Sequence, residues 1–132
     1  MIRRILFLIS IIIALCSFNA KPSLRGVWEY AGDIYNGKKQ SAATNYKLQR
    51  KYDDTHYDAS FLEVGEKPVI YERGDYLLKQ DTCIETQTYT SQPSKILGIS
   101  IKYIYQIKND TLTLSGTLPN GSVVQEYWKR VK

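Results

Sequence analysis

Cysteine is almost missing from this chain, and its scarcity removes a class of folds. There are two. Cys16 sits in a hydrophobic N-terminal stretch and Cys83 lies far along the chain. Once the N-terminal stretch is removed, Cys83 has no partner for an intramolecular disulfide, so the chain is not a disulfide-stapled miniprotein. Cys83 reads as a small buried hydrophobe. Stability must come from a core, and a domain of about 110 residues buries a little under 70% of the surface its unfolded chain exposes. Histidine is scarcer still. His56, the single one, stands beside the turn residues Asp53-Asp54-Thr55. One histidine and no paired thiols leave zinc short of ligands. Asp53, Asp54 and Asp58 lack the spacing of a calcium loop. No metal site and no cofactor are expected. Nucleophile-elbow, phosphate-loop and dinucleotide fingerprints are also missing, so no enzyme and no catalytic residue are expected. Basic residues are scattered as Lys38-Lys39, Arg50-Lys51 and Lys129-Arg130. They form no basic stripe interleaved with aromatics, which argues against a nucleic-acid partner.

What is present begins with a leader. Met1-Ile2-Arg3-Arg4 is positively charged, and Ile5 to Leu15 is apolar except for Ser10. Small residues follow in Cys16-Ser17-Phe18-Asn19-Ala20. About a dozen apolar residues are too few to span a membrane, which takes roughly 20. Residues 1–20 therefore read as a secretory signal peptide, cleaved after Ala20, with one folded domain over 21–132. Localisation follows as secreted or periplasmic. A second route stays open. Ile13-Ala14-Leu15-Cys16 is similar to a bacterial lipobox, in which Cys16 is lipidated and anchors the protein to a membrane surface. Loss of Arg3 and Arg4 lowers the formal net charge of +5 by two, leaving a mildly basic domain.

Beyond the leader the pattern has period two. Val27 to Ala31 reads as a strand, and Gly32 to Lys39 as a loop or short excursion. Tyr46, Leu48, Arg50 and Tyr52 alternate with polar residues. Asp53-Asp54-Thr55 turns the chain into Tyr57, Ala59 and Phe61. Val69 to Arg73 is a short strand, Gly74-Asp75 a turn, and Tyr76 to Lys79 a continuation. Cys83 to Thr90 is rich in Thr and Tyr, as strands are. Ile99, Ile101, Tyr103, Tyr105 and Ile107 form the clearest strand. Asn109-Asp110 turns into Leu112 and Leu114, and Asn120-Gly121 turns into a last strand, Val123 to Val131. A weak helical turn is expected near Ser41-Ala42-Ala43. Roughly eight to ten short strands with short connections imply an all-β, antiparallel up-and-down β-barrel. Closure removes exposed edges.

Several local patterns recur in an order that carries a resemblance. Gly26-x-Trp28 opens the first strand. Gly74-Asp75-Tyr76, Thr82-Cys83-Ile84-Glu85 and Tyr105-Gln106-Ile107 follow, then Asp110-Thr111-Leu112-Thr113-Leu114. Glu126-Tyr127-Trp128-Lys129-Arg130-Val131 ends the series. The chain resembles the small bacterial lipocalin-like secreted domains of the calycin superfamily, over nearly all of 21–132. That resemblance implies that Trp28 packs at the closed end of a barrel. It also implies that Arg130 stacks on Trp28, a cation–π contact worth about 0.5–2 kcal/mol, with Gly26 giving the backbone room. It implies no settled activity.

Alternation assigns an interior. Trp28, Leu48, Ile101, Leu112, Leu114 and Trp128 are expected inside. So are the candidate ligand-binding residues Tyr46, Arg50, Tyr57, Phe61, Tyr76, Glu85, Tyr103 and Tyr105. There are 11 tyrosines, and of the phenylalanines only Phe61 lies past the leader. Buried tyrosine needs a partner for its hydroxyl, which suits water or a polar-headed ligand inside. An inward Arg50 needs a carboxylate, supplied by Glu85, by Glu126 or by a ligand. Two functions stay open. One is a secreted or periplasmic lipocalin-like protein that binds a small apolar or amphipathic ligand in its barrel. The other is a non-enzymatic interaction or structural module with a filled core and Tyr35, Tyr71 and Tyr89 outside. No particular protein partner is indicated.

Overall fold

Period-two patterning makes strands wherever one face can be buried. In the computed structural model, which describes residues 22–132, that patterning yields nine strands and no helix among the described residues. The expected leader 1–20, the cleavage point after Ala20 and the Cys16 lipidation site lie outside the described residues. The strands are β1 (Gly26–Tyr35), β2 (Lys38–Ser41), β3 (Lys47–Tyr52), β4 (His56–Leu62), β5 (Val69–Lys79), β6 (Thr82–Thr90), β7 (Ser100–Lys108), β8 (Thr111–Thr117) and β9 (Val123–Arg130).

Every pairing between these strands is antiparallel, and from β3 onward each pairs with the next. β1 pairs with β9 on one side and β3 on the other, so eight strands close into a barrel. β2 is the extra strand. It shares the β3 side of β1: Gly26 to Glu29 pair with β3, and Gly32 to Tyr35 pair with β2. The chain from Ala42 to Tyr46 crosses the gap between them. That gap becomes the mouth of the barrel.

Three expectations from sequence are corrected. The first concerns Gly32 to Lys39, read as a loop or excursion. Here β1 runs on to Tyr35 and turns through Asn36 (φ 48°) and Gly37 (φ 80°) into β2. Two left-handed residues in a two-residue turn match the twist of the flanking strands. The second concerns Gly74-Asp75, read as a turn. Both lie inside β5. Gly74 is there for proximity: a Cβ would stand 2.4 Å from the ring of Tyr57, so only glycine lets that ring lie across the strand. The third concerns Ser41-Ala42-Ala43, where no helical turn forms. Ser41 pairs with Gly32 in the sheet, and Ala42 and Ala43 are loop.

Three register shifts interrupt the ladder: one leaves Thr88 as an extra residue in β6, and the other two lie beside the larger cavity. Tyr30 pairs with Trp128 and Gly32 with Tyr127, leaving Ala31 as an extra residue in β1. Ala59 pairs with Glu72 and Ser60 with Ile70, leaving Tyr71 as an extra residue in β5. An extra residue shifts the alternation by one. Past Ala31 the inward positions of β1 therefore become Asp33 and Tyr35. Simple alternation from Trp28 would have turned Gly32 and Ile34 inward instead.

The core sits toward the end where β1 begins. Leu24, Trp28, Cys83, Leu112 and Leu114 are fully buried there, with Tyr52 and Trp128 close to it. β7 shows the alternation directly: Ile101 and Tyr103 are buried while Lys102 and Ile104 face out. Tyr105 packs against the core from its edge, whereas Ile99 and Ile107 are exposed at the margins of the strand.

Candidate functional site

One end of the barrel is sealed. Trp28 donates its indole N–H to the carbonyl of Leu24 at 2.8 Å, so the segment preceding β1 folds back under the ring. The Arg130 guanidinium lies over Trp28, 4.2 Å from the ring centroid. At Gly26 a side chain would press on that guanidinium, since a Cβ would stand 3.2 Å from Arg130 Nη1. Tyr76 packs edge-on against Tyr52 with centroids 5.1 Å apart, and its hydroxyl donates to the Asp53 carbonyl. Tyr76 and Tyr105 thus belong to the sealed half. They do not join the other candidate ligand residues.

The middle of the barrel holds a charged hub. β3 places Arg50 inward between Leu48 and Tyr52, and the side chain is 10% exposed. Arg50 Nη1 donates to Tyr52 Oη at 3.0 Å and to Glu85 Oε2 at 3.1 Å. The Tyr52 hydroxyl donates to Glu85 Oε1 at 2.9 Å. Nη2 stands 3.7 Å from Glu72. The guanidinium is also flanked by two rings, 4.9 Å from the centroid of Tyr57 and 4.7 Å from that of Trp128. A buried charge is tolerated when paired and hydrogen-bonded, and here the pairing comes from the chain itself.

Further out the barrel opens. A cavity of about 690 Å³ reaches from Arg50 to the loop Ala42–Tyr46. A smaller one of about 200 Å³ extends past Tyr57 and Tyr103 toward Ile96. Four side chains line both: Asp33, Arg50, Glu72 and Glu126. The larger cavity is flanked by the rings of Tyr30, Tyr46, Tyr71 and Trp128. Tyr46 stacks on Phe61 at the rim, with centroids 4.7 Å apart. Of the expected ligand residues, Tyr46 and Arg50 line the larger cavity, while Arg50, Tyr57, Glu85 and Tyr103 line the smaller one. Phe61 supports the rim through Tyr46.

The carboxylates are held by donors of the wall. Asp33 Oδ2 accepts from Tyr30 at 2.7 Å, Glu126 Oε2 accepts from Trp128 Nε1 at 2.9 Å, and Glu72 accepts from Tyr57. Asp33, Glu72 and Tyr71 were not among the residues expected here. Asp33 and Tyr71 owe their places to the extra residues of β1 and β5, whereas Glu72 follows the regular alternation back from Tyr76 and Gly74. Gly32, at φ 127° inside a strand, is the visible mark of the first bulge. Tyr71 is itself the extra residue of the second. Of the tyrosines expected outside a filled core, Tyr35 and Tyr89 are exposed, Tyr35 also edging the smaller cavity, whereas Tyr71 lines the larger one.

Burial sets the ionisation of this interior. It pushes the Tyr57 and Tyr103 hydroxyls well above their ordinary value and Tyr71 up to about 12, so these hydroxyls keep their protons, and that of Tyr57 donates to Glu72. Burial also raises the Glu85 carboxyl, against the opposing pull of Arg50. The Cys83 thiol is pushed up by burial and by the neighbouring Glu85. Among the described residues no three His, Cys, Asp or Glu side chains are grouped to hold a metal ion. The arrangement can hold a molecule between aromatic walls and offer it carboxylates.

No protein-family model and no curated protein sequence matches the chain. Among solved structures, a mutant of the fluorescent protein UnaG aligns with 83% of this chain and 96% of that chain, at a TM-score of 0.43 and 12% sequence identity.

Proposed function

We propose that this protein is a non-enzymatic, lipocalin-like carrier, exported by its leader to a secreted or periplasmic location, that holds a small amphipathic molecule in the mouth of its barrel. The lipidated alternative through Cys16 would place the same carrier on a membrane surface. The observation that carries the reading is the cavity of about 690 Å³. Small-molecule sites typically enclose about 300–1,000 Å³ and combine aromatic walls with a few convergent polar groups. Tyr46, Tyr71 and Trp128 supply the walls, and Arg50, Glu72 and Glu126 the polar groups. A wholly apolar ligand suits this lining poorly, because it would strip water from carboxylates without replacing their hydrogen bonds.

Native mass spectrometry of the protein purified from its own compartment tests the proposal. A carrier shows extra mass that leaves on denaturation, and the released molecule gives its class. A ligand-free mass, together with failure of the neutral dye Nile red to bind, would overturn it in favour of an interaction module.

A further inference from the structure

A carrier of fatty acids would aim a free cation into its cavity. This one does the reverse. Among the described residues Arg50 is the one cation of the inner wall, and Glu85 and Tyr52 already occupy its Nη1. The other basic residue on the larger cavity, Lys47, stands at the rim and pairs with Glu29 at 3.5 Å. That leaves three carboxylates on the inner wall, those of Asp33, Glu72 and Glu126. Of these, Glu72 stands 3.7 Å from the Arg50 guanidinium and Glu126 feels the same charge, which Glu85 and Tyr52 already share.

The bulge at Ala31 makes the imbalance acute. Asp33 and Glu126 are directly opposite each other on β1 and β9. Side chains so placed have Cβ atoms about 4.5–5.5 Å apart, and like charges there repel. A strand pair gains nothing from two facing acids unless something cationic sits against them.

One buried polar atom among the described residues points the same way: Asp33 Oδ1 lacks a hydrogen-bond partner, as does Arg50 Nε, whose N–H calls instead for an acceptor. Both belong to residues lining the two cavities, and Arg50 is 8% exposed overall. Asp33 Oδ1 calls for a donor. An ammonium group with an oxygen beside it would satisfy both.

We infer that the ligand of this barrel is an organic cation, an amphipathic amine whose ammonium sits among Asp33, Glu72 and Glu126 while its apolar part lies against Tyr46, Tyr71 and Trp128. This rests on the reading of the mouth as a ligand site and names the class that site selects. Tyr57 and Trp128 already flank one cation, Arg50, and their neighbours Glu72 and Glu126 are positioned for a second.

Three probes of one chain length separate the outcomes: n-octylammonium, n-octanol and n-octanoate, each titrated against the protein by displacement of Nile red. The expected order is ammonium, then alcohol, then carboxylate. The ammonium should lead the alcohol by about tenfold or more, as one uncompensated charge in a partly wetted site supports. The paired substitutions Asp33→Asn and Glu126→Gln keep shape and hydrogen bonding. They should bring ammonium and alcohol within about threefold of each other. If that variant does not fold, Glu126→Gln alone serves, and the ranking on the unaltered protein still decides. Equal binding of all three probes, or octanoate ahead, overturns the cationic assignment and leaves the carrier reading standing. Failure of Nile red and all three probes to bind overturns both.

Discussion

Arg50 and Glu85 face each other across the barrel at 3.1 Å, and the Tyr52 hydroxyl closes a triangle between them. They come from β3 and β6, strands that share no sheet pairing. Their contact therefore crosses the interior and fixes its width. A buried pair of this kind stabilises little against an apolar replacement, but breaking it by removing one partner costs about 3–5 kcal/mol. Arg50→Met should destabilise the fold by that amount, because Glu85, Glu72 and Glu126 are left without a cation. Adding Glu85→Leu should restore most of the loss. Urea unfolding of the two variants decides: equal stability of the single and double variants would mean that the pair does not act as a unit.

The pH dependence of stability follows from Glu85. Burial raises its carboxyl above the ordinary value even with Arg50 pulling the other way. The folded protein therefore holds that proton to higher pH than the unfolded chain does. The associated stability is complete below the ordinary carboxylate value of about 4.3. It is lost as pH rises through the higher folded value. Urea midpoints of the wild type and Glu85→Gln, measured from acid to neutral pH, should show the wild type losing ground to the variant as pH rises. A gap that moves the other way would mean that Arg50 holds Glu85 ionised throughout.

The contrast between the two halves of the barrel shows what could be read from sequence. Ile101 and Tyr103 alternate without interruption, so their burial was legible. So was the Asn109-Asp110 turn, where both residues adopt positive φ. Arg50 was legible as an inward charge with Glu85 or Glu126 among its partners. Asp33 and Tyr71 were not. Alternation counts residues, and an extra residue inserted on one strand changes the parity without leaving a mark in the count. Gly74 misled for a different reason. Gly-Asp has turn composition, yet this glycine makes room for the Tyr57 ring, which approaches from the neighbouring strand β4. Fold class depends on most strands being regular. The positions of Asp33 and Tyr71 depend on the irregularities of β1 and β5, and those were hidden.

Cys83 should be chemically silent in the native protein. It is fully buried on β6, and both burial and the adjacent Glu85 disfavour its thiolate, the reactive form. Iodoacetamide at mildly alkaline pH should leave the Cys83 peptide unmodified in the folded protein and alkylate it fully in denaturing urea, read by peptide mass spectrometry. Rapid alkylation without denaturant would mean that the sealed end opens readily.

Gly32 should control the mouth. Its φ of 127° belongs to glycine, and a Cβ there would stand 2.7 Å from the backbone oxygen of Gln40 in β2. Backbone cannot rotate away as a side-chain tip can, so Gly32→Ala must strain β1 or push β2 off. β2 is four residues long, exposed throughout, and paired only with β1. It is therefore the element that yields. Strain of this type costs about 1–3 kcal/mol, which should speed amide exchange of Lys38 to Ser41 by about tenfold or more. Amides of β6 and β7, which pair with neither β1 nor β2, should exchange as before. Uniform acceleration across all strands would instead show that the bulge beside Gly32 holds the β1–β9 closure together. In that case Asp33 and Glu126 face each other as a consequence of closing the barrel, and their juxtaposition would need no ligand to explain it.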